Sequence, residues 1–346
     1  MFLESDQLLV RQLDPVEASR GGTVEYLGAR HLAPTGESMK TSLIHPSRSR
    51  LSLRARALKA LLRIMRRRRI YDSVAGLMAG IENTRVSGPA RPSAQMCRDL
   101  EIELEQIGAM EVYTLKPRRL SHDRPVMLYL HGGAYCRPIT SHHWRFLRWL
   151  VTAHDCVVVV PLYPLAPESQ CVVTVQALRN MHQLMSERYG QFDAFVGDSA
   201  GAGLCVAFCL ALSASNEALP NRLVLISPFV DASLTHPLVG DTAQRDPMLG
   251  ILGIREAGRL YAGDLGLDHP FVSPLHADLH DLPAMQMFVG TDDILHHDAL
   301  TFAQKAKDAG CDVDLHVESG MIHVWPLLPL PEARRSRLAI TQFLMG

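Results

Sequence analysis

Two short segments of the chain carry residues suited to nucleophilic chemistry on a carbonyl group. Gly197-Asp198-Ser199-Ala200-Gly201 places a serine between two glycines, directly after the strand-like apolar run from Phe192 to Val196. Glycine tolerates the sharp strand-to-helix turn that lifts a serine hydroxyl out of the chain at such a motif. His131-Gly132-Gly133-Ala134 follows a second apolar run, at a position where backbone N–H groups can bind a developing negative charge. The two segments therefore predict a nucleophile, Ser199, beside an anion-binding loop.

A serine nucleophile needs a base to accept its proton and an acid to orient that base. His323 lies in the loop after the last strand-like run, which makes it the predicted base. Asp292 and Asp293 follow the preceding run and are both candidates for the acid. Spacing alone does not separate them, because an aspartate at this position also serves well as a helix N-cap. The chain order of nucleophile, acid and base is the order found in α/β-hydrolases.

From about Leu100 onward, short apolar runs alternate with helical stretches. This alternation predicts an α/β fold with one mostly parallel, eight-stranded sheet flanked by helices. The stretch from Asp231 to Pro283, between the sixth and seventh strands, is too long for a simple crossover and is predicted to be helical around Ile254 to Tyr261. The predicted strands are 102–107, 110–115, 126–130, 157–160, 192–196, 223–226, 285–289 and 313–317.

The composition argues against several classes of protein. The 346 residues are 47% hydrophobic, which is enough for a large core, and the formal net charge of −1 gives no general attraction to nucleic acid. Seven cysteines without metal-ligand spacing are typical of a reducing compartment, and neither a metal nor a cofactor is expected. Acidic residues interrupt any apolar segment near the N-terminus, so we expect a cytoplasmic location.

The N-terminal part of the chain is different in character. Residues 1–45 have little periodicity and are assigned no chemistry, whereas Ser38 to Tyr71 contains eleven Lys or Arg residues and no acidic residue. Ala55, Leu58, Leu61, Leu62 and Met65 mark one face of a basic helix within 48–70, and a second helical piece is predicted over 72–83. A basic amphipathic helix either contacts an anionic membrane surface or covers a neighbouring domain with a solvated face. We favour the second interpretation.

From about Leu51 to the C-terminus, these residues together resemble the hormone-sensitive-lipase-like esterases, the bacterial family IV carboxylesterases of the α/β-hydrolase superfamily. The acid segment of that family, Gly-x-x-Asp-x-Leu, places the catalytic aspartate on Asp293. The other segments that resemble the family are Tyr163-Pro164-Leu165-Ala166-Pro167-Glu168, Leu225-Ile226-Ser227-Pro228-Phe229, Asp246-Pro247-Met248-Leu249 and Phe271-Val272-Ser273-Pro274-Leu275.

The resemblance also implies a domain plan and an oxyanion hole. Residues 1–95 and a segment around 231–283 are expected to form a helical cap over a catalytic domain of residues 96–346. The N–H groups of Gly132, Gly133 and Ala200 are expected to bind the oxyanion, with His131 and Asp198 in support. Ala134 stands where the family usually has a third glycine, so we expect a smaller acyl pocket.

The activity implied by the resemblance is that of a serine carboxylesterase, which hydrolyses short-chain acyl esters through an acyl-enzyme on Ser199. An amidase or deacetylase with the same three residues is a narrower alternative, because the first chemical step is shared. A non-catalytic binding protein is the alternative from another class, since a plant hormone receptor of this fold has lost the histidine that is present here as His323. The expected partner is a small-molecule ester and not nucleic acid, and a homodimer is left open.

Overall fold

A nine-stranded sheet forms the centre of the molecule, whose computed structural model describes residues 44–47, 50–119 and 124–346. The strand order is β1-β9-β8-β7-β6-β4-β5-β3-β2. Each pair of neighbouring strands along this order, from β1 as far as β5, is parallel. The last two pairs are antiparallel: β3 with β5, and β2 with β3. The strands are β1 (Ile44–Ser47), β2 (Leu100–Ile107), β3 (Met110–Pro117), β4 (Val126–Leu130), β5 (Val157–Pro161), β6 (Ala194–Asp198), β7 (Arg222–Ile226), β8 (Ala284–Gly290) and β9 (Val313–Glu318).

All eight predicted strands are present, and the predicted fold class is confirmed. The ninth strand, Ile44–Ser47, pairs in parallel with β9 and was not predicted, because four residues of mixed character carry no alternation. Residues 1–43, which the sequence left without periodicity, lie outside the described residues. The central strands are covered on both faces, as continuous apolar runs indicate. In β4, for example, Leu128 belongs to one buried apolar cluster and Tyr129 to the other.

Helices connect the strands and cover the sheet. The cavity described below is lined in part by the helices over 53–64 and 251–262, by the 3₁₀-helix over 67–70 and by loop residues near them. Among the described residues, no helix is long and apolar enough to cross a membrane. The α-helices are α1 (Leu53–Ile64), α2 (Val74–Ser87), α3 (Ala94–Asp99), α4 (Ser141–His154), α5 (Cys171–Tyr189), α6 (Ala200–Ala214), α7 (Val239–Arg245), α8 (Ile251–Ala262), α9 (His296–Asp308) and α10 (Pro331–Met345).

The predicted basic helix exists, but its buried face differs from the predicted one. It consists of α1 followed by a 3₁₀-helix, Arg67–Ile70. Ala55 is buried as expected, whereas Leu61 and Met65 are exposed and a lysine, Lys59, is buried instead. The reason is an acidic partner for that lysine, Asp292, which lies far away in the sequence. Helical periodicity cannot report such a tertiary contact.

The parallel strands bring the candidate site residues to one edge of the sheet. The loops that follow β4, β6, β8 and β9 all leave the carboxyl ends of adjacent or nearby strands. In open α/β sheets this edge is where ligands bind. These four loops carry, in chain order, Gly132 and Gly133, Ser199, Asp293, and His323.

Candidate active site

Ser199 occupies a strained turn between β6 and α6. Its φ of 54° and ψ of −123° are unusual for a residue with a side chain. The turn is closed by two glycines that leave no room for a Cβ atom. A Cβ on Gly201 would lie 2.0 Å from the carbonyl oxygen of Leu130, and one on Gly197 would lie 2.6 Å from the backbone of Gly201. The Gly-x-Ser-x-Gly pattern is therefore a steric requirement of this turn.

Ser199, His323 and Asp293 form a continuous chain of hydrogen bonds. The Ser199 Oγ lies 2.8 Å from Nε2 of His323, and Nδ1 of His323 lies 2.8 Å from Oδ2 of Asp293. All three side chains are buried. With Nδ1–H donated to the carboxylate, Nε2 is free to accept the serine proton. The structure thus brings together the three residues that the sequence predicted as nucleophile, base and acid.

The charges around His323 favour its protonated form. Burial lowers the pKa of the imidazole, but the carboxylate of Asp293 and, more weakly, that of Asp246 outweigh burial and raise this pKa above its ordinary value. Asp293 is itself fixed by the backbone N–H of Leu295, which donates to Oδ1 at 3.0 Å. An imidazolium that forms during a reaction would therefore be stabilised where it forms.

The two neighbouring aspartates have separate partners. Asp292 does not contact His323; its Oδ2 accepts from Nζ of Lys59 at 2.5 Å and its Oδ1 from Nε of Arg245 at 3.3 Å. Lys59 also donates to the carbonyl oxygen of Gly320 at 2.7 Å. Asp292 therefore links α1 and α7 to the loop that carries Asp293. Of the two aspartates, Asp293 is the one in hydrogen-bond contact with His323.

The structure differs from the predicted oxyanion hole at Gly132. Its backbone N–H donates to Oδ1 of Asp198 at 3.1 Å, so this group holds the loop against the turn instead of facing an incoming oxygen. In the described part of the chain, the N–H groups of Gly133 and Ala134 have no protein acceptor. The N–H of Ala200 stands at the first position of α6, where no intrahelical partner exists. These three groups remain available for an oxyanion.

Asp198 supports this loop through a network that the sequence did not reveal. Its Oδ1 also accepts from the Tyr129 hydroxyl at 2.5 Å, and its Oδ2 lies 3.3 Å from Nε2 of His143. Burial raises the pKa of Asp198, but His143 and the hydrogen bonds outweigh burial, and the pKa lies below its ordinary value. His131 is held beside it, since its carbonyl oxygen accepts from the Tyr163 hydroxyl at 2.5 Å. The loop geometry is thus set by buried side chains and not by glycine alone.

Asp246 is a further buried carboxylate close to Asp293. Asp246 accepts from the backbone N–H groups of Met248 at 2.7 Å and Leu249 at 2.9 Å through Oδ1, and from that of Ile294 at 3.0 Å through Oδ2. Burial, followed by the charge of Asp293, raises its pKa. Its only sequence signal was the Asp-Pro-Met-Leu segment, to which no role was assigned. Asp246 ties the loop after α7 to the loop that carries Asp293.

A cavity of about 260 Å³ opens onto Ser199 and His323. One part of its wall is the loop with Gly133, and another part comes from Leu58 of α1 and Ile254 of α8. Most of the lining is apolar, as is usual for a small-molecule site. In the ranges 44–47, 50–119 and 124–346, no cluster of His, Cys, Asp or Glu is arranged to hold a metal ion.

Comparisons with known proteins agree with this geometry. A family model described as alpha/beta hydrolase fold matches residues 127–327. The chain is 32% identical over 237 residues to an acetyl-hydrolase of Streptomyces hygroscopicus, covering 66% of this chain and 78% of that protein. It is 30% identical over 223 residues to an esterase of Acinetobacter venetianus, covering 63% of this chain and 74% of that protein.

Solved structures point the same way. A crystal structure of an esterase from the bacterial hormone-sensitive lipase family superposes with a TM-score of 0.72 at 29% identity, covering 86% of this chain and 98% of that one. A hormone-sensitive lipase from a metagenome library superposes with a TM-score of 0.73 at 27% identity, covering 84% and 97%. The family model spans more than half of the chain, and its relatives are named esterases and lipases. The chain therefore belongs to the alpha/beta-hydrolase family and is a serine ester hydrolase of the hormone-sensitive-lipase-like type.

Proposed function

We propose that the protein hydrolyses short-chain acyl esters through an acyl-enzyme on Ser199. The observation that carries this proposal is the hydrogen-bonded chain from Ser199 through His323 to Asp293. Ser199 Oγ attacks the ester carbonyl carbon while Nε2 of His323 takes the hydroxyl proton. The tetrahedral intermediate then releases the alcohol, which receives this proton from His323. A water molecule repeats the sequence and frees the acid and Ser199.

The oxyanion of each intermediate needs donors that are already in place. We assign this role to the N–H groups of Gly133, Ala134 and Ala200, with Ala134 in the position first expected of Gly132. Gly133 and Ala134 line the cavity beside Ser199, and neither N–H has another acceptor within the described residues. Ala134 adopts a φ of 53°, which glycine accepts more readily.

Ala134 supports the proposal of short acyl chains. Its methyl group is buried in the wall where the family usually has glycine, and the relative named acetyl-hydrolase removes a two-carbon group by its name. An acyl-length series of p-nitrophenyl esters tests this point. We expect the wild type to prefer acetate and butyrate, and Ala134→Gly to shift the optimum toward longer chains. An unchanged optimum would remove Ala134 from the explanation.

The test of the acyl-enzyme itself compares Ser199→Ala with Ser213→Ala, an exposed serine near the end of α6. We expect Ser199→Ala to lower kcat for p-nitrophenyl butyrate by at least about 10⁴-fold, because the covalent step is lost. Ser213→Ala should keep wild-type turnover. A fluorophosphonate probe should add its mass to the wild type and to Ser213→Ala only. Equal turnover by the two variants would exclude Ser199 as the nucleophile.

The same residues could cleave an amide, so amidase or deacetylase activity is the second candidate. The name acetyl-hydrolase of the Streptomyces relative does not state which bond that protein cleaves. Matched p-nitrophenyl acetate and p-nitroacetanilide separate the two activities on one enzyme. We expect the ester to be cleaved far faster. A non-catalytic binding role is disfavoured, because His323 is in hydrogen-bond contact with Ser199.

The domain plan and partners stay proposals of the same kind. We propose that the helical parts of residues 1–95 and 231–283 form a cap over the catalytic domain 96–346; the support is that Leu58 and Ile254 line the cavity with Ser199. A cytoplasmic location stays a prediction, which fractionation tests. The question of a homodimer stays open, and sedimentation tests it.

Membrane contact through the basic helix stays the less favoured of the two interpretations of this helix. Ile64 is 78% exposed and Met65 is 65% exposed, beside several arginines. Such a surface suits an anionic bilayer. Co-sedimentation with vesicles that contain anionic lipid should fall when Ile64 and Met65 are both changed to Ser. Binding that is unaffected by this change would exclude this helix as the contact.

A further inference from the structure

Two arginines stand in the wall of the cavity that contains Ser199. Arg67 comes from the 3₁₀-helix after α1, and Arg137 comes from the loop that also carries Gly133. The backbone N–H of Arg137 donates to the carbonyl oxygen of Gly133 at 2.9 Å, so this arginine is anchored to the proposed oxyanion loop. Arg137 is half-buried and Arg67 is exposed. The proposed mechanism uses neither side chain.

Neither of these two cavity-lining guanidinium groups has an acidic partner in the described part of the chain. Arg68, next in the chain, pairs with Asp72 at 2.7 Å, and Arg85 of α2 pairs with Glu168 at 2.8 Å. Across the described residues, neither Arg67 nor Arg137 forms an ion pair or a side-chain hydrogen bond. Partial burial and then the nearby charge of Arg137 lower the pKa of Arg67. The two cations therefore repel each other in the free protein.

The acidic groups of the cavity do not neutralise this pair. Asp198 is part of the lining, but its oxygens are taken by Tyr129, Gly132 and His143. The carboxylate of Asp293 is bound by His323 and is fully buried. Much of the remaining wall is aliphatic, as at Leu58, Leu62, Leu327 and Leu328. An anion that entered this space would meet two unpaired guanidinium groups, one exposed at Arg67 and one half-buried at Arg137, beside a largely aliphatic wall.

We propose that the cavity selects esters that carry a negatively charged group, a carboxylate or a phosphate, bound by Arg67 and Arg137. Guanidinium is suited to both anions, because its N–H groups form paired, charge-assisted hydrogen bonds with their oxygens. The inference rests on the proposed ester hydrolysis at Ser199 and names the class of substrate for that site. Adjacent arginines of the run 66–69 then have different roles. Arg68 pairs with Asp72 within the proposed cap, and Arg67 contacts the substrate.

The test compares esters that carry an anionic group with neutral esters of similar size. Mono-p-nitrophenyl adipate and p-nitrophenyl hexanoate place the difference on the acyl side. On the alcohol side, 4-acetoxybenzoate and 4-acetoxyphenyl phosphate are compared with methyl 4-acetoxybenzoate, which also separates carboxylate from phosphate. We expect the wild type to show a higher kcat/KM for at least one charged ester than for its neutral match. The preferred ester then identifies the side and the anion.

The variants are Arg67→Gln, Arg137→Gln and the double change. Each single change should lower the preference for the charged ester a few-fold, and the double change should lower it about tenfold or more, as the loss of charged hydrogen bonds implies. Arg69→Gln, an exposed arginine of the same 3₁₀-helix, is the control for net charge and should leave both rates unchanged. High salt should reduce the wild-type preference.

Three results would overturn the proposal. The wild type could show no preference for the charged ester in any pair. The double variant could keep the full preference. Arg69→Gln could lose as much of the preference for the charged ester as Arg67→Gln does. If the double variant does not fold, inhibition of the wild type by adipate and by neutral adipamide replaces it, and equal inhibition counts against the proposal. Failure of the underlying ester hydrolysis is distinguishable, because then neither ester of a pair is cleaved in a Ser199-dependent manner.

Discussion

The catalytic centre and the cavity-facing part of the proposed cap differ in how their charged groups are paired, although cap residues away from the cavity, such as Lys59 and Arg68, do form ion pairs. In the centre, Asp198, Asp293 and His323 are buried and each has at least one hydrogen-bond partner. In the cap, Arg67 faces the cavity without an acidic partner in the described chain, and Ile64 is exposed. A fully satisfied polar network is rigid, and an unsatisfied surface is suited to a ligand. The centre therefore holds its reacting groups in place, and we expect the proposed cap to set the substrate.

Asp292 and Asp293 divide the same two tasks between adjacent residues. Asp293 orients His323 at 2.8 Å, and Asp292 binds Lys59 of the cap at 2.5 Å. Because these neighbouring side chains contact different regions, changing each to asparagine separately shows which of them affects catalysis.

The largest expected effect is that of Asp293→Asn. The amide cannot stabilise an imidazolium and favours the wrong tautomer of His323, so kcat should fall by about 10³ to 10⁴-fold. Asp292→Asn is the matched control, and its kcat should stay within a few-fold of the wild type. Steady-state hydrolysis of p-nitrophenyl butyrate measures both. A larger loss in Asp292→Asn than in Asp293→Asn would reverse the assignment of the catalytic acid.

The sequence was sufficient where the signal is local. The strands appear as apolar runs, and Ser199 appears because the strained turn admits only glycine at positions 197 and 201. His323 was identified by its place after the last strand. These features depend on a few neighbouring residues, which is the range over which periodicity and turn chemistry operate.

The features that sequence reasoning missed depend on residues far apart in the chain. The N–H of Gly132 looked free, because its acceptor Asp198 lies 66 residues away. Lys59 looked like a solvated residue, because Asp292 lies 233 residues away. Both groups are buried polar atoms that need a partner, and the identity of a distant partner is not encoded in local spacing.

Lys59→Gln tests the connection between the two regions. The change removes the lysine of the Lys59–Asp292 ion pair, whose side chains are 11% and 13% exposed. Asp292 keeps a second cation, Arg245 at 3.3 Å, which compensates only in part. We expect the free energy of unfolding to fall by about 2–3 kcal/mol, somewhat less than for an isolated buried pair. Arg56→Gln, on the exposed face of α1, is the control and should change it little. Urea unfolding measures both variants.

A stability loss in Lys59→Gln should come with a smaller effect on catalysis. Asp293 keeps its bond to His323 in this variant, so kcat should change less than in Asp293→Asn. Equal stability of Lys59→Gln and Arg56→Gln would mean that the ion pair does not hold the cap to the centre.

The smallest expected effect is a shift in pH dependence on changing Asp246. His323 must be neutral to act as a base, so kcat/KM should fall as the pH drops through its pKa, which lies above the ordinary value. Burial lowers that pKa, whereas Asp293 and then Asp246 raise it. The pKa of Asp246 is itself raised to about 7, so this group carries only part of a negative charge while His323 titrates. Asp246→Asn removes that partial charge, so the acidic limb should move slightly to lower pH. Asp241→Asn, an exposed change at α7, should leave the limb in place, and a shift of the Asp246→Asn limb to higher pH would contradict this electrostatic account.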